Sequence, residues 1–144
     1  MAGPYIYLNS ASLIGKPYVA DAAGNYLGEC VSLVKHYIPE LQNRSTRTWV
    51  KGSNVIETFK NGGAIVVGTA IATFRNGSFS GHAAFFAGIE RGKNEEIYII
   101  LVDQYLGGRP SDGIISRRLQ NKGKNTNGSY NDPSNNGEAF FVIL

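Results

Sequence analysis

Apolar residues recur at helical spacing in one early stretch and at strand-like spacing through the second half of the chain. Val31, Val34 and Ile38 form one row and Leu33 and Tyr37 an adjacent one, which predicts a helix from about Gly28 to Tyr37. Pro39 ends it, because the residue before a proline disfavours helix. Residues 1–27 read as irregular, with one short helix near Ala11–Ile14, and Leu41–Lys51 as a polar connection carrying Trp49. Ser53 is placed to cap a second short helix running through Phe59, and Asn61-Gly62-Gly63 forces a turn. Beyond that turn the pattern changes. Ala64–Phe74, His82–Glu90, Glu95–Tyr105 and Glu138–Leu144 read as strands, with Ile114–Leu119 a weaker candidate. Helices precede strands, so the class expected is α+β with a mostly antiparallel sheet. Gly107–Gly113 and Asn121–Gly137 read as loops. The second is either unstructured chain or a lid.

The length of 144 residues suits one domain, taken here as 1–144. A 42% hydrophobic and 11% aromatic content indicates a folded globule. A single cysteine excludes an internal disulfide and a cysteine-based zinc site, and two histidines leave little for a metal centre. The formal charge of +3 and pI of about 9.0 are mildly basic. Arg44, Arg47 and Lys51 form one cluster and Arg117, Arg118, Lys122 and Lys124 another. Both read as solvated surface; an anionic wall polymer is the partner they would otherwise suit. No nucleic-acid motif accompanies them. The N-terminal segment has no basic start and no long apolar run, so neither a signal peptide nor a membrane span is expected. That pattern suggests a soluble protein made in the cytoplasm.

The candidate chemistry starts at the lone cysteine. Cys30 sits in Gly28-Glu29-Cys30-Val31-Ser32-Leu33-Val34, at the first turn of the first helix. Helix N-termini carry partial positive charge and unpaired N–H groups, which favour a thiolate and an oxyanion. A cysteine among Leu33, Val34 and Tyr37 also suits plain burial, so position alone leaves both readings open. His82 begins a strand in Gly81-His82-Ala83, and Arg91-Gly92-Lys93-Asn94 signals a hairpin to the strand ending in Asp103. If that turn centres between Gly92 and Lys93, His82 faces Asp103, and the carboxylate can fix the imidazole tautomer. A shift of one residue would substitute Gln104. His36 lies six residues beyond Cys30 on the same helix, which is about 9 Å along the axis and on another side, so it cannot be the base.

With these residues in view, the chain resembles the NlpC-type and CHAP-type papain-like cysteine peptidases that cut bacterial peptidoglycan. Gly-Glu-Cys-Val-Ser-Leu-Val is similar to the CHAP cysteine motif, and the resemblance covers about residues 24–105. It departs from the family in carrying Glu29 where an aspartate commonly precedes the cysteine, and in lacking a clear oxyanion side chain beyond Asn25 or Tyr26. The resemblance implies a cysteine-bearing helix packed on an antiparallel sheet. It also implies an amidase or endopeptidase of stem peptides using Cys30, His82 and Asp103 and no cofactor. A small member of this kind is similar to the amidase toxins of type VI secretion. It would be a monomer acting in a target periplasm or wall, with an immunity protein as partner and no nucleic-acid or membrane partner. A phage lysin domain, an acyltransferase and a non-catalytic peptide- or wall-binding module on the same fold are the alternatives.

Overall fold

The computed structural model describes residues 3–144; Met1 and Ala2, part of the stretch read as irregular, lie outside it. The first helix, α1, spans Cys30–Tyr37, and the second, α2, spans Val55–Lys60. Six strands follow the chain as β1 (Lys51–Asn54), β2 (Ala70–Arg75), β3 (Ser78–Arg91), β4 (Ile97–Asp103), β5 (Ile115–Gln120) and β6 (Phe140–Ile143). They form one sheet in the order β1-β6-β2-β3-β4-β5, with every neighbouring pair antiparallel. The α+β architecture, with the cysteine helix against an antiparallel sheet, is the one expected.

Side-chain alternation along the strands gives two apolar faces. One carries Ala83, Phe85 and Val102 and packs against Leu33, Val34 and Ile38 of the α1 region. The other carries Ala84, Phe86, Leu101 and Phe140 and packs against Val55 and Ile56 of α2. The sheet is therefore the middle layer, with a helix on each side. Trp49 is buried against Phe79 with rings 5.1 Å apart, so the stretch read as a polar connection supplies part of the core.

Several boundaries differ from those expected, each for a local reason. The strand read over Ala64–Phe74 begins at Ala70. Gly68 takes φ +98° just before it, and the Tyr7 N–H donates to the Gly68 carbonyl at 2.9 Å, so Gly68 and Thr69 pair with the N-terminal segment at Ile6 and Tyr7 instead. The cap of α2 is Asn54, whose side chain accepts from the Glu57 N–H at 2.9 Å, while Ser53 lies in β1. β3 starts four residues before His82, because Asn76 (φ 52°) and Gly77 (φ 80°) make a tight hairpin turn between β2 and β3. Both central residues at positive φ is the geometry an Asn-Gly pair favours.

The loop from Asn121 to Gly137 is neither free chain nor a detached lid. Asn136 is fully buried in it. Its side chain accepts from the Lys122 and Glu138 N–H groups and donates to the Gly123 and Asn131 carbonyls, all at 2.8–3.0 Å. The Lys122–Asp132 ion pair at 2.8 Å closes the loop from outside. Its Pro133–Asn135 turn is held against β3 and β5 beside Gly81 and Arg117.

Candidate active site

Cys30 is the first residue of α1, and Glu29 is the cap position in extended backbone with no side-chain capping bond. The Cys30 N–H therefore stands where no intrahelical acceptor exists. Gly28 (φ +79°) turns the chain into the helix, packed so tightly on Leu106 that a Cβ would clash with that side chain. Ser32 fixes the approach from the helix side by donating from Oγ to the Tyr26 carbonyl at 2.7 Å.

His82 is presented by a distortion of β3. Ala72 opposes Ala83 and Phe74 opposes Phe79, so Ser80, Gly81 and His82 all lie opposite Thr73. Thr73 fills the missing pairing with its side chain. Its hydroxyl donates to the Ser80 carbonyl and accepts from the His82 N–H at 2.9 Å. Gly81 needs φ +106°, and a Cβ there would lie 2.6 Å from the Thr73 hydroxyl. The Gly81 carbonyl, 3.9 Å from Cys30 Sγ, joins this bulge to the helix start.

The His82–Asp103 contact is present, but the register that predicts it is not. The β3–β4 turn is wider than expected. Gly92 N–H donates to the Glu96 carbonyl at 2.8 Å, and Glu95 at the tip takes φ 66°. Ile89 opposes Ile99 and Gly88 opposes Ile100, but Phe86 opposes Leu101, leaving Ala87 as an extra residue. Without that bulge the turn-proximal register would set Asp103 opposite Phe85, on the wrong face. The bulge brings Asp103 opposite Ala84, two residues along from His82 and on its face, a diagonal pair. His82 Nε2 and Asp103 Oδ2 are 2.6 Å apart, both buried.

Asp103 is bound from three directions. Arg117 donates to Oδ2 from Nε at 2.8 Å and Nη2 at 2.7 Å, and Arg109 donates to Oδ1 from Nη2 at 3.0 Å. Burial alone would raise the carboxyl pKa; the hydrogen bonds from His82 and Arg117 outweigh it and hold the pKa down to about 2. Burial likewise works against a charged His82 ring, but hydrogen bonding to Asp103 and to the Cys30 side chain overcomes it and raises the ring's pKa. With Nε2 committed to Asp103, Nδ1 is the nitrogen left for Cys30.

Gln104, the alternative to Asp103, points elsewhere. Fully buried, it accepts from the Val19 N–H at 2.9 Å and donates to the Val19 and Glu29 carbonyls at 2.9 and 2.8 Å. It thus ties the chain entering α1 to the end of β4. His36 is exposed and donates from Nδ1 to the Ala20 carbonyl at 2.9 Å. Neither Asn25 nor Tyr26 turns its side chain into a buried position; both are exposed. A cleft of about 430 Å³ lies along the segment entering α1, lined by Asp21, Tyr26, Glu29, Val31, Lys35 and Phe79 among others; neither Cys30 nor His82 lines it. A hollow of about 470 Å³ around Lys60, Glu96 and Gln120 shares no residue with it.

Arg109, Arg117 and Thr73 are site residues that the sequence reading missed, and Gln104, weighed there as an orienter, is a tether instead. Arg117 corrects the reading of its cluster as solvated surface, since its side chain is 19% exposed and spent on Asp103. Arg44 corrects it in the other cluster, with its guanidinium on the Tyr5 hydroxyl and the Thr48 carbonyl. Among the described residues, no three His, Cys, Asp or Glu side chains are grouped to hold a metal ion. No helix there is long and apolar enough to cross a membrane.

Comparison with known proteins places the chain in a family. The model of domesticated amidase effector 2 matches residues 8–143. The chain belongs to the domesticated amidase effector 2 family. A type VI secretion amidase effector 2 protein of Salmonella typhi, a similar relative, is 34% identical over 97% of this chain and 98% of its own. Domesticated amidase effector 2 of Ixodes scapularis is 33% identical over 96% and 97%. The solved structure of type 6 secretion amidase effector 2 superposes with a TM-score of 0.76 at 31% identity, covering 98% of this chain and 94% of that one. Membership in the amidase effector 2 family agrees with the enzyme class and the fold expected from Gly28-Glu29-Cys30 and Gly81-His82-Ala83.

Proposed function

We propose that this protein is an antibacterial cysteine amidase that cleaves amide bonds in peptidoglycan stem peptides. The observation that carries the reading is His82, bonded on Nε2 to a buried carboxylate and neighboured by Cys30 at a helix start. A proton passes from Cys30 to His82, and the thiolate attacks the peptide carbonyl. The Cys30 N–H donates to the oxyanion. The imidazolium protonates the departing amine as the C–N bond breaks, leaving a thioester. His82 then takes a proton from water, the hydroxide attacks the thioester carbonyl, and the C–S bond breaks to free the acid and restore Cys30. Asp103 holds the ring orientation throughout. The relatives named as amidase effectors support the activity, and type VI delivery of one of them supports action in a rival's periplasm. The chain would act as one monomeric domain without cofactor, and a producing cell would need an immunity protein.

The test is digestion of purified sacculi by wild type and Cys30→Ala, with fragments identified by mass spectrometry. New amine and carboxyl ends at one stem-peptide bond are expected from wild type alone. Equal digestion by Cys30→Ala would remove Cys30 from the mechanism, and no digestion of any wall type would favour a binding module.

A further inference from the structure

An orienting carboxylate needs one imidazole to serve, yet Asp103 also binds two guanidinium groups. Arg117 is the telling one. It shares Oδ2 with His82, and its Nη2 lies 3.5 Å from the ring's Nε2. Its third arm is fixed too, because Nη1 donates to Asn135 Oδ1 at 3.0 Å, and Asn135 is held in turn by the Asp132 carboxylate. The guanidinium is therefore immobilised between carboxylate, ring and the Pro133–Asn135 turn. At that distance a fixed positive charge repels a protonated ring and is indifferent to a neutral one. Asp103 does the opposite.

Both steps of the proposed reaction need the ring to change charge. A buried carboxylate with no compensating cation would hold His82 as imidazolium, which can protonate an amine but cannot accept a proton from water. General acid–base catalysis works best with a group balanced near the working pH. We propose that Arg117 is the positioning and charge-setting residue of His82, holding Asp103 ionised and aligned while offsetting its pull on the ring proton. The proposal rests on the reading of Cys30 and His82 as nucleophile and base. The charged and titratable groups around the ring are Cys30 from α1, Asp103 from β4 and Arg117 from β5, with Arg109 behind the carboxylate. Asp132, in the turn, is paired with Lys122. Thr73 of β2 and Phe140 of β6 are neutral neighbours.

The experiment is an NMR titration of the His82 ring in Arg117→Gln and Arg117→Lys, read beside the pH dependence of Cys30 alkylation. Cys30 is the sole cysteine, so alkylation needs no substrate and no site ambiguity arises. In Arg117→Gln the ring midpoint is expected to rise by about one pH unit, as loss of a nearby like charge requires. Arg117→Lys keeps the charge, so its midpoint should stay within a few tenths of wild type. In both, kcat should fall with KM little changed. If Arg117→Gln does not fold, citrulline at position 117 keeps the shape and the two donors towards Asp103 while removing the charge, and the same rise is expected. An unmoved midpoint in the neutral variant, or an equal rise in Arg117→Lys, overturns the proposal. A moved midpoint in a protein that hydrolyses no amide overturns the functional reading and leaves the charge-setting role of Arg117 intact.

Discussion

The two halves of the site are built differently. The His82–Asp103 half lies within the sheet. Its carboxylate is fully buried, and its strands are bulged at Ala87 and around Gly81 to aim both side chains. The Cys30 half hangs from an irregular segment with Tyr26 and Leu27 exposed at 70% and 57%. That segment is tied down by Gln104, Ser32, the Gly28–Leu106 contact and His36. The proposed base is preorganised by strands, and the proposed nucleophile by a loop pinned at a few points. The open cleft lies on the loop side, bordered by Glu29 and Val31, which flank Cys30 in the chain.

The most drastic way to break this contrast is to remove one reacting group from each half. Cys30→Ala and His82→Ala should each cost roughly a thousandfold or more in amide hydrolysis. Because the two groups act as a unit, the double variant should be no worse than either single one. Sacculus turbidity assays read the rates. Circular dichroism should show both folds intact. Additive losses would mean that the two halves do not work together.

Asp103 comes next, and it couples activity to stability. Asp103→Ala would leave two guanidinium groups in place without their carboxylate, so the cost should be about 3 kcal/mol, read by urea unfolding. Hydrolysis should fall by less than for His82→Ala, since an orienter is less essential than the base. The same carboxylate sets an acid limit. Its folded pKa is depressed to about 2 from 3.8, so its contribution is present above pH 3.8 and lost as pH falls towards 2. The amplitude should be about 2 kcal/mol. His82 has the opposite sign. Its raised pKa gives stability that is present below 6.5 and lost as pH rises through the folded value. Unfolding free energy should therefore decline on both sides, and Asp103→Asn should flatten both limbs.

What the sequence disclosed follows the same division. α1, its break before Pro39 and the strands from His82 onward were legible because apolar spacing records which face is buried. Cys30 was legible because it stands at a helix start; His82 was found from its place after Gly81, although the strand that carries it begins at Ser78. The bulge at Ala87 was not, because a bulge leaves no periodic mark. The expected His82–Asp103 pairing was reached through a turn that the chain does not make. Arg117 was hidden as one basic residue in a basic run, though its pairing with Leu101 across β4–β5 sets it diagonal to Asp103. Gln104 was weighed as an orienter because it neighbours Asp103. Strand alternation sends it to the opposite face, where it became a tether of the nucleophile loop.

That tether gives the smaller, sharper tests of the comparison. Gln104→Leu keeps most of the volume but strips partners from the Val19 N–H and from the Val19 and Glu29 carbonyls. Unpaired backbone groups of this kind cost about 1–3 kcal/mol. The loss should appear as faster amide exchange around Val19 and Gly28, and as roughly tenfold slower hydrolysis as Cys30 loses its alignment. The His82 titration should not move, because the sheet half is untouched. A moved titration would show that the two halves are one rigid unit.

His36→Ala is the mildest case. His36 also ties the loop, through the Ala20 carbonyl, but from an exposed position and with one bond. Water can replace that bond at little cost, whereas no water reaches the Gln104 contacts without opening the core. The ring also lies against Tyr37 with centroids 4.6 Å apart, a contact on the solvent side of α1. Hydrolysis should therefore stay within about twofold of wild type, with exchange quickened at Ala20 and its neighbours but not at Gly28. A loss as large as that of Gln104→Leu would mean that the outer edge of the loop, rather than its buried anchor, sets the position of Cys30.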